Sequence, residues 1–203
     1  MIKIIDYGLG NVRAFQNIFK RLNVPVDLAR TTADLIGATK LILPGVGAFD
    51  HAMEQLQRSG MRSLLDELVL DNCIPVLGIC VGMQILSDCS DEGQLAGLGW
   101  ISGKVRSLRM PETPNLILPH MGWNDVTALS GNPLFQGSEA DPRFYFLHSY
   151  YFDCSNSADV AAVSTYGHMF PSVVCKGSIY GVQFHPEKSH RFGINLLKNF
   201  SRI

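Results

Sequence analysis

Along the first ninety residues, short continuous apolar runs alternate with stretches in which apolar residues recur every three or four positions. "IKIID" near the N-terminus is a continuous run and reads as a buried strand. "NVRAFQNIFKRL" follows, with Val12, Phe15, Ile18, Phe19 and Leu22 on one helical face. "VPVDLA" and "KLILP" are the next strands, and "FDHAMEQLQRSG" and "MRSLLDELVLD" are helical. "IPVLGI" is a fourth strand, and "GMQILSD" opens a further helix. Strand, helix and strand in this rhythm predict a mostly parallel sheet flanked by helices on both faces.

The second half is richer in strands and turns. "GWISGKVRSLRM", "PNLILPHMGW", "RFYFLHSYYFDC", "DVAAVSTYG", "PSVVCKG" and "SIYGVQF" are its candidate strands, and "FGINLLKNFSR" closes the chain as a helix. No linker, repeat or low-complexity tract interrupts the pattern. The expected organisation is one α/β domain over residues 1–203 with an antiparallel extension to the parallel sheet.

Composition narrows the class. The 46% apolar and 17% charged content suits a packed globular core and excludes disorder. A formal net charge of -1 gives no bulk attraction to nucleic acid or anionic membrane. No apolar run reaches membrane-spanning length, and "MIKIIDYGLG" lacks a signal-peptide cleavage pattern. The five cysteines are odd in number and form no C-x-x-C pair, which argues against a disulfide framework or a zinc site. A reducing cytoplasm is the expected compartment, with no metal and no cofactor. Cys73, Cys89, Cys154 and Cys175 read as small buried apolar residues.

Cys80 is different. "GICVG", Gly78 to Gly82, joins an apolar strand to a helical pattern with glycine two residues either side of the cysteine. This is the cysteine form of a nucleophile elbow, a sharp turn that pushes the thiol out at the carboxyl end of a sheet. A helix N-terminus behind the thiol favours a thiolate, and its free amides, that of Val81 above all, can receive an oxyanion. "LPGVGAF" ends the preceding strand, and Gly45, Val46 and Gly47 there form a loop able to offer a second oxyanion donor. "YGVQFHPEKS" supplies a base: His185 follows an apolar run, and Glu187 stands two residues on, close enough to orient the imidazole. "DYGLGN" starts a G-x-G pattern, but Arg13 occupies the third glycine position, so Gly8 and Gly10 read as a tight turn rather than a dinucleotide site. His51, His168 and His190 read as structural.

"LGICVGMQ" with "QFHPEKS" resembles the Cys-His-Glu triad of the class I glutamine amidotransferases, and the resemblance covers essentially the whole chain. Within the family, "DYGLGN", "LPGVGAFDHAM", "PHMGWN", "FYFLHSYY" and "GVQFHPEKS" are similar to the glutaminase subunits that work beside a (β/α)8-barrel cyclase in histidine synthesis. The resemblance implies that Cys80 attacks the side-chain amide of glutamine and that His185 protonates the departing ammonia. It further implies that Gln84 and Glu92 hold the substrate, Glu92 through the α-amino group, and that the backbone at Ser149 meets its carboxylate. Trp123 and Asn124 of "PHMGWN" then face the barrel as a heterodimer interface, with no metal or cofactor needed. "ICVG", with Val81 where histidine-pathway proteins commonly carry leucine, and "EKSHRFG" lean towards a paralogous branch. That branch supplies ammonia for amino or amidino sugars of surface polysaccharides. A cysteine hydrolase on a related fold and an interaction module without chemistry are the readings from other classes.

Overall fold

The computed structural model describes residues 1–111, 113–129, 131–138 and 142–203. Its strands are β1 (Ile2–Ile5), β2 (Val26–Ala29), β3 (Lys40–Gly45), β4 (Val76–Cys80), β5 (Cys89–Ser90), β6 (Gly103–Ser107) and β7 (His120–Asp125). They continue as β8 (Thr127–Ala128), β9 (Arg143–His148), β10 (Tyr150–Cys154), β11 (Val160–Tyr166), β12 (His168–Lys176) and β13 (Ile179–Val182). The helices are α1 (Val12–Arg21), α2 (Phe49–Arg58), α3 (Arg62–Asp66), α4 (Val81–Gln84) and α5 (His190–Arg202).

Eight strands form the main sheet in the order β2-β1-β3-β4-β13-β12-β11-β8. The five from β2 to β13 are parallel, and β12, β11 and β8 extend the same sheet antiparallel. Every residue of β1, β4 and β13 is buried, as expected for strands covered on both faces. Phe15 and Phe19 of α1 pack into that core, and Asn11 caps the helix by accepting the Ala14 amide at 3.2 Å. Gly8 and Gly10 precede this cap at φ 92° and 85°, a turn that glycine adopts without penalty.

Five expectations need correction. "GMQILSD" gives only the single turn of α4, because the chain then bends back to pair Asp88 with Gly103 and Leu98 with Ile85 through their backbones. "RFYFLHSYYFDC" is two strands, broken at Ser149: β9 pairs with β7, whereas β10 pairs with β6. "PNLILPHMGW" becomes strand only from His120, and β12 begins at His168, before the run expected to form it. Cys73 is exposed, in a turn at φ 53°, and Cys89, Cys154 and Cys175 are partly exposed, so only Cys80 is a buried cysteine. Among the described residues no helix is long and apolar enough to cross a membrane.

Candidate active site

Cys80 is the last residue of β4, and α4 begins at the next position. Its backbone sits at φ 55° and ψ -114°, a conformation that L-residues avoid and that costs on the order of 1–3 kcal/mol. The flanking glycines make this turn possible by close approach. A Cβ on Gly82 would lie 1.9 Å from the Leu43 carbonyl oxygen, and one on Gly78 would lie 2.6 Å from the Gly82 oxygen. Gly181 of β13 makes room for Met83 in the same way, at 2.7 Å. The one-turn helix is therefore pressed onto β3, β4 and β13, with the thiol at their carboxyl ends.

His185 reaches the same edge from the neighbouring strand. β13 ends at Val182, three residues before it, and the backbone of His185 is fixed by two hydrogen bonds. The His185 amide donates to the Tyr145 carbonyl at 2.8 Å, and the His185 carbonyl accepts the Ser189 hydroxyl at 2.6 Å. Its Nδ1 lies 2.9 Å from Oε1 of Glu187, and both side chains are only 4% exposed. The second carboxylate oxygen, Oε2, is buried with no hydrogen-bond partner in the protein. The negative charge of Glu187 is therefore directed at the imidazole. Burial works against a proton on His185. Hydrogen bonding and charge from Cys80 and Glu187 outweigh it and raise the pKa to about 10.

Cys80 and His185 meet at a pocket of about 280 Å³, the size of an amino-acid-scale ligand rather than a large one. Cys80, His185 and Val81 line it, as do Val46 and Gly47 of the glycine loop. Gln84, Glu92, His148, Ser149, Tyr150 and Lys188 also line it. The lining holds both a carboxylate, Glu92, and a lysine, Lys188, a pairing that suits a zwitterion.

Chain topology, cysteine position and pocket chemistry agree with a match to the family described as glutamine amidotransferase class-I over residues 3–202. The chain belongs to that family. It is 58% identical to "Imidazole glycerol phosphate synthase subunit HisH" of Bdellovibrio bacteriovorus over 204 residues, covering 100% of each chain. The subunit of the same name from Leptospira interrogans is 48% identical, again over 100% of each. In fold, the structure of PurLQS from Thermotoga maritima superposes with a TM-score of 0.74 at 15% identity, covering 98% of this chain and 96% of that one.

For an amidotransferase, the expected site residues fall into distinct places. Cys80, Val81, Gln84, Glu92, Val46, Gly47, Ser149 and His185 all line the pocket, and Glu187 lies behind His185. Gly45 lies under the elbow: it pairs with Cys80 in the sheet, and a Cβ there would meet the Gly82 amide at 2.5 Å. Gln84 is buried and donates to the Tyr150 carbonyl at 3.0 Å and to Gln183 Oε1 at 3.1 Å, so its amide braces the pocket wall. Trp123 and Asn124 part company. Trp123 is 40% exposed and stacks flat on His190 at 5.4 Å, whereas the Asn124 amide turns inward to the Thr165 carbonyl at 2.9 Å.

His148, Tyr150 and Lys188 line the pocket without having been singled out from the sequence. His148 had a signal: it shares the buried face of β9 with Phe144 and Phe146, a polar residue in an apolar stripe. Its partner is His120, directly opposite on β7, with Nδ1 of His120 2.9 Å from Nε2 of His148. Asn124 Nδ2 donates to Nε2 of His120 at 3.3 Å, and Nδ1 of His148 donates to the Tyr150 carbonyl at 2.8 Å. Those end contacts orient the chain: each imidazole carries its proton on Nδ1 and accepts at Nε2. Burial lowers the pKa of His120 to about 4 and that of His148 to about 3, so the pair is neutral. His120 is also sandwiched between Phe146 at 4.8 Å and Tyr166 at 4.1 Å.

Proposed function

We propose that this chain is the glutaminase subunit of an imidazole glycerol phosphate synthase, acting as a single amidotransferase domain over residues 1–203. It hydrolyses glutamine and passes the ammonia to a (β/α)8-barrel cyclase in the cytoplasm. One observation carries the glutaminase reading: an elbow cysteine, a Glu-paired histidine and a small zwitterion-suited pocket lie together at the carboxyl edge of a parallel sheet. Full-length similarity to two relatives named as subunits of that synthase supports the acceptor.

In the proposed reaction the sulfur of Cys80 attacks the side-chain amide carbon of glutamine. The amide of Val81, with those of Val46 and Gly47 in the glycine loop, holds the resulting oxyanion, and Gly45 gives the elbow room beneath them. The C–N bond breaks as His185 gives its proton to the nitrogen, releasing ammonia and leaving a glutamyl thioester. Water then attacks that carbonyl, His185 takes the water's proton, and glutamate leaves as the Cys80 sulfur is released. The Glu187 carboxylate orients and charges the imidazole throughout. Glu92 meets the substrate ammonium, the backbone at Ser149 its carboxylate, and Gln84 supports the wall between them.

Trp123 is the proposed anchor for the barrel. It lies on the outward face of β7 together with Met121, 65% exposed, and a large exposed apolar pair on a short ribbon is the anatomy of a hot spot. The test combines two arms. Supplied with a histidine-pathway barrel, the chain should restore growth without histidine, at low ammonia, to a strain lacking its own glutaminase subunit. Purified, it should hydrolyse glutamine much faster with the liganded barrel than alone. No rescue, alongside active glutamine hydrolysis with a polysaccharide-pathway barrel, would move the chain to that branch. Hydrolysis of peptides but not of glutamine would make it a cysteine hydrolase.

A further inference from the structure

The first turn of α2 and the 92–95 segment hold each other through two carboxylates. Glu92 Oε2 accepts the Phe49 amide at 2.9 Å. Phe49 is the first residue of α2, and its N-cap, Ala48, offers no side chain to cap the helix. A residue 43 positions away therefore does what a local Ser or Asp ordinarily does. Asp50, the next residue of α2, returns the contact by accepting the amides of Gln94 at 2.8 Å and Leu95 at 3.0 Å. The backbone at Gly93 lies against the same carboxylate: a Cβ there would stand 1.9 Å from Asp50 Oδ1.

This clasp sits at a junction. α2 starts immediately after the Gly45–Gly47 loop, so the Phe49 amide is two residues from the end of the proposed oxyanion donors. Glu92 also lines the pocket, whereas Asp50 does not. A carboxylate has room for more than one donor, so Glu92 can hold the helix amide and a ligand's ammonium together. We propose that Glu92 and Asp50 are positioning residues for the oxyanion loop. Through the Phe49 amide, Glu92 ties the loop's placement to the ammonium of bound substrate, and Asp50 keeps the Glu92 segment within reach. The inference rests on the glutaminase reading above.

The readout is the split between KM and kcat for glutamine hydrolysis by the complex with its barrel, normalised to sites labelled by a glutamine-analogue electrophile. E92Q keeps an oxygen for the Phe49 amide but loses the charge for the ammonium. KM should rise roughly tenfold or more, with kcat far less affected than in E92A. E92A loses both contacts, and its kcat should fall by roughly 10²-fold, the scale of a small misplacement of catalytic groups. On glutaramate, which lacks the amino group, the KM penalty of E92Q should vanish while the kcat gap between E92A and E92Q persists. D50A should also lower kcat, and D50N should recover much of it. Equal kcat in E92A and E92Q, with wild-type turnover intact, overturns the inference and leaves the glutaminase reading standing. A wild-type complex that does not hydrolyse glutamine overturns that reading instead. Should E92A fail to fold, the comparison of D50A with D50N decides, and equal kcat there overturns the inference.

Discussion

Acidification should destabilise this protein in proportion to a proton that His148 refuses. The imidazole is buried, its Nδ1 donates to the Tyr150 carbonyl, and its Nε2 accepts from His120. No lone pair is left for a second proton unless the chain to His120 breaks. The native pKa is about 3, whereas an unfolded histidine titrates near 6.5. Between those values the unfolded state binds a proton that the native state does not, so stability falls as pH falls through that window. Integrated from pH 8 to pH 5, this one group removes about 2 kcal/mol. His120, lowered to about 4, acts with the same sign. His185 acts with the opposite sign: its raised pKa adds stability that is complete below about 6.5 and is lost as pH rises towards 10. A variant that removes only the His148 titration separates these terms. His148→Gln retains an oxygen for the His120 proton and cannot ionise. Urea unfolding of wild type and variant at pH 8 and pH 5 supplies the comparison. Wild type should lose about 2 kcal/mol more than the variant over that interval, whatever else titrates. Parallel pH dependences would refute the account of a neutral buried pair.

Cys80→Ser should lower glutamine hydrolysis by on the order of 10⁴ or more while ammonia-dependent synthesis by the partner continues, measured by product formation with each nitrogen source. His185→Asn should be nearly as damaging and Glu187→Gln milder, because in the proposed reaction His185 moves the proton and Glu187 only orients and charges it; steady-state kinetics showing the reverse order would contradict those roles. Gly82→Ala should destabilise by about 3 kcal/mol or more, read from the urea midpoint, because the new methyl group meets a backbone oxygen that cannot rotate away. Trp123→Ala should weaken barrel association by about 2 kcal/mol in titration calorimetry and leave the unfolding of the free chain nearly unchanged.

The parallel half of the sheet was legible because its strands are uninterrupted apolar runs separated by helical patterns, and the elbow because two glycines bracket a cysteine at such a boundary. The corner at Ser149 was not. "RFYFLHSYYFDC" is apolar on both sides of it, and only pairing with partners far along the chain sends β9 to β7 and β10 to β6. The His120–His148 chain was hidden for the same reason, since 28 residues separate two side chains that a single cross-strand register brings together. The family resemblance points to Glu92 as a residue for the substrate, but its bond to Phe49 needs the fold to bring a turn onto a distant helix end. Asn124 illustrates the alternation of a strand: one position from Trp123, it faces the other way.

The strand order has a consequence for how the chain is made. β13 lies between β4 and β12, so the middle of the sheet is filled by a segment that leaves the ribosome after the other strands of the sheet. Until it arrives, β4 is an open edge of unpaired amides and carbonyls bearing the elbow thiol, the kind of surface on which nascent chains pair wrongly. The proposed nucleophile also has neither His185 nor Glu187 beside it during that interval. Synthesis therefore carries the Cys80 sulfur through the 105 residues that separate it from His185 without the groups proposed to let it turn over glutamine, and seats the final sheet strand and the proposed proton donor almost together.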